Sequence, residues 1–102
     1  MSKKVALAIA ASIISFSSFA ADIDAGKAKS ATCMACHGAK GVSMIPMYPH
    51  LAGQQADYLK KQLKDFRDGN RKDPVMGAMA KALSDADIEN LSAYYASLDS
   101  KG

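Results

Sequence analysis

The chain has 102 residues, with 13 Lys plus Arg against 10 Asp plus Glu and two cysteines. Removing Lys3 and Lys4, which belong to a leader described below, leaves 11 basic residues against 10 acidic ones, a formal charge of about +1. That near-balance gives no argument for nucleic acid or anionic lipid as a partner, and a chain this short holds one domain whose core of side chains alone is marginal.

Lys3 and Lys4 form a basic start, Val5 to Ile14 is an uncharged apolar stretch, and Ser18-Phe19-Ala20 offers small residues at the −3 and −1 positions of a signal-peptidase site. Cleavage is expected after Ala20, leaving Ala21 to Gly102 as the mature domain. The apolar stretch falls short of the roughly 20 residues a spanning helix needs, and Ser12, Ser15, Ser17 and Ser18 interrupt it. Export is therefore expected, without stable membrane insertion.

Asp24 is placed as the N-cap of a first helix running from about Ala25 to the stop at Gly38. Gly26 inside it costs about 1 kcal/mol against alanine, which points to fraying or to a second backbone close by. Cys33-Met34-Ala35-Cys36-His37, at the end of this helix, is a C-x-x-C-H run, the c-type haem attachment signature. On a helix the two thiols and the imidazole sit at i, i+3 and i+4 and leave one face. Two thiols can then add to two vinyl groups at one haem edge while the imidazole reaches the iron. Competing readings are weaker. A thioredoxin-like pair wants a βαβ context that is absent, and zinc wants four ligands where only His50 is left to add. A plain disulfide would close a small ring of little stabilising value and leave His37 unexplained.

Gly38 to Gly53 holds three glycines and two prolines without helical period and reads as loop. Leu59, Leu63 and Phe66 mark a second helix, Gln54 to Asp68, with Gly69 just past its end. Pro74 reads as a second break. Ser84 with Asp87 three residues on opens a last helix, whose buried stripe is Ile88, Leu91, Tyr94 or Tyr95, and Leu98. There is no convincing strand, so the expected class is all-α: three main helices and loops around one covalently bound haem.

A second axial ligand must come from elsewhere in the chain, and a methionine thioether opposite a histidine raises the reduction potential and fills both iron sites. Outside the leader and the motif stand Met44, Met47, Met76 and Met79. Met76 is preferred, because Pro74 precedes it and Gly77 follows, so its backbone can lie close to a haem face. Met79, three residues on, is the alternative, and His50 would give a bis-histidine site.

Together, Gly26, Cys33 to Gly38, Pro46 to Gln54, Tyr58 to Gly69, Met76 to Met79 and Leu83 to Tyr95 resemble class I cytochrome c. Within that class the chain is most similar to short bacterial periplasmic monohaem proteins and to each half of the dihaem c-four group. The resemblance covers essentially the whole mature chain. It implies thioethers at Cys33 and Cys36, a proximal ligand at His37, a distal ligand at Met76, and a proline carbonyl on the proximal ring, matched to Pro46 with Pro49 close by. It also implies that Gly26 and Tyr94 mark a close crossing of the first and last helices. The chain departs from larger members in having no tryptophan, which they supply as a partner of a haem propionate.

The function that follows is outer-sphere electron transfer through one heme c, without an enzymatic acid, base or nucleophile. The haem edge near Cys33 and Cys36 would meet the partner's cofactor, and a buried haem would complete the core, so the apo protein is expected to be largely unfolded. Redox donors and acceptors are the expected partners: a membrane oxidase or reductase, or another periplasmic cytochrome. Nucleic acid is not among them. Lys60, Lys61, Lys64, Arg67, Arg71 and Lys72 offer a basic docking face, yet Asp57, Asp65 and Asp68 lie at helical spacing from the lysines and pair them internally. Docking through Met44, Ile45 and Met47 is equally open. A monomer or weak dimer in the periplasm is expected. A haem subunit of a periplasmic oxidoreductase is the alternative, and a gas sensor a weaker one, since a sensor normally needs an output domain and none follows in this chain.

Overall fold

The computed structural model describes residues 20–102; the expected leader and its apolar stretch lie outside the described residues. The regular structure among the described residues is all helical, with no strand: α1 (Ile23–Lys29), a 3-10 turn (Ser30–Thr32), α2 (Met34–His37), α3 (Ala56–Asp68), α4 (Pro74–Ala80) and α5 (Asp85–Ser97). None of these helices is long and apolar enough to cross a membrane.

The expected first helix is in fact two short ones joined by a tighter turn. Its cap is Asp22, not Asp24: the Asp22 carboxylate accepts the Ala25 N–H at 3.0 Å, while Asp24 adds negative charge to the first turn. Asp22 is also tied to the last helix, its N–H donating to Asn90 Oδ1 at 2.8 Å. The α1–α5 crossing is tight at Gly26, where a Cβ would overlap the Asn90 carbonyl and lie 2.8 Å from Tyr94 Cβ. Glycine is there because two helix backbones touch, and fraying is not the reason.

The last helix opens as its sequence dictates. Ser84 Oγ accepts the Asp87 N–H and the Asp87 carboxylate accepts the Ser84 N–H, both at 3.0 Å, a reciprocal cap. Ile88, Leu91, Tyr94 and Tyr95 are all buried. Both tyrosines point inward because they serve different neighbours: Tyr94 meets α1 at Gly26, and the Tyr95 ring lies against the loop at Gly41. Leu59 of α3 joins Leu91, Tyr94 and Tyr95 in one cluster, and Leu51, Leu63, Leu83, Leu98 and Cys33 pack on its flanks.

Pro74 does not break the chain. It is the first residue of α4, and Asp73 caps that helix by accepting the Val75 and Met76 N–H groups at 3.0 and 2.9 Å. Proline fits there because the first helical N–H has no intrahelical partner to lose. α3 begins two residues later than expected, at Ala56, and ends as expected at Asp68, with Gly69 just past it. α4 packs against α3, and both α1 and α3 pack against α5.

Candidate haem-attachment site

The C-x-x-C-H segment forms a single turn. The Cys33 carbonyl accepts the N–H groups of Cys36 at 3.3 Å and His37 at 2.9 Å, which holds Cys33 over His37. Gly38 then turns the chain away at φ +89°, where a Cβ would overlap the Val42 carbonyl. Both cysteines are free thiols and half-buried, whereas His37 is buried. Cys33 packs against the Leu59–Leu91–Tyr94–Tyr95 cluster, so the attachment turn rests on the core.

His37 Nδ1 lies 2.8 Å from the Pro49 carbonyl oxygen. A carbonyl can only accept, so Nδ1 carries the proton, and the lone pair is left on Nε2 for a metal. Pro46, the residue matched to this role from sequence, is not the partner. It lies on an exposed turn closed by the Tyr48 N–H on the Ile45 carbonyl. The loop register decides between the two prolines. The Gly41 carbonyl accepts the N–H groups of Leu51 at 2.8 Å and Ala52 at 2.9 Å, and the Gly53 N–H donates to the Tyr95 carbonyl at 2.9 Å. These bonds return the chain beside α2 at residue 49. Nothing in the local sequence separates the two prolines; only the loop's return path does.

Ser43 joins this loop to the attachment turn. Its Oγ shares one proton between the Cys36 and Ile45 carbonyls, at 3.0 and 2.8 Å, and its N–H donates to His50 Nδ1 at 2.8 Å. His50 is thus an exposed ring bound within its own loop. Met76 and Met79 both lie on α4, Met76 half-buried and Met79 44% exposed. α4 reaches the core through α3, whose Leu59 and Leu63 belong to the assembly that Cys33 packs on.

The residues present fit a haem. Two unpaired thiols and an imidazole with a free Nε2 supply a thioether and ligand set. The Tyr95 hydroxyl is buried without a hydrogen-bond partner, and burial foremost, then the neighbouring Cys33 thiol, pushes that phenol far up. An orphaned buried hydroxyl beside an attachment cysteine is what a pocket built for another group leaves behind. Tyr95 was missed as a site residue; the only signal for it was the paired tyrosines on one helix. Large apolar side chains stand in solvent close by in sequence: Met44 at 95% and Met47 at 78% exposure, with Ile45 between them.

The family model described as Cytochrome c matches residues 23–99. Cytochrome c-554(548) of Halomonas halodenitrificans is 48% identical over 81 residues, covering 76% of this chain and 98% of the relative. The thiosulfate dehydrogenase electron acceptor of Thiomonas intermedia is 45% identical over 75 residues, 72% of this chain and 35% of the relative. The crystal structure of reduced cytochrome c4 from Pseudomonas stutzeri superposes with a TM-score of 0.75 at 43% identity, over 78% of this chain and 47% of that one. The chain thus spans almost all of one relative and under half of the other two. It belongs to the cytochrome c family, and its prosthetic group is a single covalently attached haem c.

Proposed function

We propose that this chain is a periplasmic electron carrier in which Cys33 and Cys36 anchor the haem and His37 and Met76 fill the two axial positions. The observation that carries the reading is the fixed imidazole. The Pro49 carbonyl holds the His37 ring by Nδ1 at 2.8 Å, next to two free thiols, so Nε2 is preorganised as a ligand. When bound, the haem supplies a one-electron couple. The chain's part would be to hold the iron through His37 and Met76, with the His37 ring fixed by the Pro49 carbonyl. Expected cleavage after Ala20 delivers the domain to the compartment where such attachment occurs.

Docking through apolar contact suits the surface better than docking through the lysines. Lys60 bonds Asp57 at 3.3 Å and Glu89 at 3.1 Å, Lys61 pairs with Asp65, and Arg67 bonds Asp68 at 3.0 Å and Asp85 at 2.7 Å. Arg71 lies over the Phe66 ring at 4.5 Å and bonds Gln62. Three of the six basic residues, Lys60, Lys61 and Arg67, are therefore already paired with carboxylates, whereas Met44, Ile45 and Met47 are exposed.

The distal ligand is tested by substitution in the holoprotein. Met76→Ala abolishes the far-red sulfur-to-iron band and admits carbon monoxide to the ferrous protein, while Met79→Ala leaves both unchanged. The reverse pattern would give the position to Met79. A second reading, the electron-accepting subunit of a periplasmic dehydrogenase, draws support from the Thiomonas relative. Gel filtration of a periplasmic extract separates the two: a carrier elutes as a small species, a subunit with its enzyme.

A further inference from the structure

We propose that His50 is a positioning residue for the axial imidazole, acting through a clamp that closes the loop between the attachment turn and α3. The inference rests on His37 being an iron ligand. Its bonds are on consecutive residues: Pro49 takes the His37 Nδ1 proton on its carbonyl at 2.8 Å, and the next residue, His50, takes the Ser43 N–H on its own Nδ1 at 2.8 Å.

Ser43 is itself fixed at both ends. Its buried hydroxyl bridges the Cys36 and Ile45 carbonyls and accepts the Ile45 N–H at 3.1 Å. The Cys36 carbonyl belongs to the residue before His37. The chain of contacts therefore runs from the attachment turn, through Ser43, across the loop to His50, and back through Pro49 to the ring. Two prolines flank the far side of this loop, Pro46 and Pro49, and neither has an N–H to donate. The His50 side chain supplies the cross-loop bond there that a ladder of backbone bonds would supply elsewhere.

The role is positioning, because His50 touches the loop and not the iron. His37 is more electron-donating the better its Nδ1–H is bonded, and a more donating ligand favours the ferric state. Releasing the Pro49 carbonyl by removing the His50 acceptor weakens that bond. The midpoint potential then rises, although no ligand has changed.

The test uses the holoprotein with two variants of an exposed side chain that leave the core untouched. His50→Ala removes the acceptor. His50→Asn places an amide oxygen near the position of the imidazole Nδ1 and restores it. The expected result is an upward shift of the midpoint potential in H50A and a return towards wild type in H50N. Exchange of the His37 Nδ1 proton, followed by NMR of the ferric protein, should be about fivefold faster in H50A, the factor that corresponds to one hydrogen bond of ordinary net strength. Wild-type potential and exchange in H50A overturn the clamp, as do equal shifts in both variants. The ligand assignment is read separately, from whether His37→Ala abolishes the low-spin ferric spectrum; a wild-type spectrum in that variant defeats the His37 reading on which the clamp rests.

Discussion

Gly26 and Tyr94 meet so closely that a Cβ on the glycine would lie 2.8 Å from the tyrosine's own Cβ, with the Asn90 carbonyl overlapped as well. This contact sets the angle at which α1 crosses α5, and the attachment turn follows α1 with only one 3-10 turn between them. Gly26→Ala should therefore destabilise the holoprotein by about 3 kcal/mol, at the upper end of overpacking costs, because backbone rather than a mobile side chain must give way. Denaturant unfolding of the ferric protein measures it. A loss under about 1 kcal/mol, what helix propensity alone would offset, would show that the crossing is loose.

Asp73 holds the first turn of α4 by accepting two N–H groups, one of them that of Met76. Asp73→Ala should cost that helix about 1 kcal/mol. If Met76 is the distal ligand, its thioether should then yield about fivefold more readily to an added ligand such as imidazole, the factor equivalent to that cap energy. The rate of imidazole binding to the ferric variant checks this, and an unchanged rate would uncouple the cap from the ligand.

Much of this arrangement was legible because it depends on neighbours in sequence. The turn from Cys33 to His37 and the Ser84–Asp87 cap are spacing rules, and spacing is what a sequence displays. α4 is also marked in the sequence, since Asp73 before Pro74 is a start signal, but proline taken alone reads as a break. The choice of Pro49 over Pro46 was not legible. It depends on bonds from Gly41 and Tyr95 to the returning chain, partners separated by ten residues or more in sequence. Burial of both Tyr94 and Tyr95 was hidden for a similar reason, since helical period gives a helix one buried face and here two elements cover adjacent ones.

Acid should weaken the fold through the α5 cap. The Ser84 N–H and hydroxyl, then Lys29, hold the Asp87 carboxyl below the usual aspartate range, and Arg67 does the same for Asp85. A carboxylate with a depressed folded-state pKa contributes stability that is complete above its unfolded value and is lost as pH falls through the folded one. The loss should begin below about pH 4, the ordinary aspartate value. Asp87→Asn cannot lose a charge, so its stability should fall less steeply over that range. Parallel unfolding curves for variant and wild type would contradict the assignment.

The apoprotein should not hold this fold. Among the described residues, the buried apolar side chains larger than alanine are Leu59, Ile88, Leu91, Tyr94 and Tyr95, four of them on α5. So few buried groups are a marginal core for a domain of this size, and the haem is the missing apolar volume. Cys33→Ala/Cys36→Ala, which has no thiol for attachment, should show low helicity by circular dichroism and no cooperative thermal transition. A sharp transition would mean that the helices pack without the haem.

Electron transfer as proposed requires that this chain's own His37 and Met76 fill both iron positions. The most direct measurement is the absorption spectrum of the ferric holoprotein, followed by exposure of the reduced form to carbon monoxide. A weak far-red sulfur-to-iron band, with a ferrous spectrum that the gas does not change, is the predicted result. No such band and ready binding of carbon monoxide would contradict the assignment and leave an open iron site.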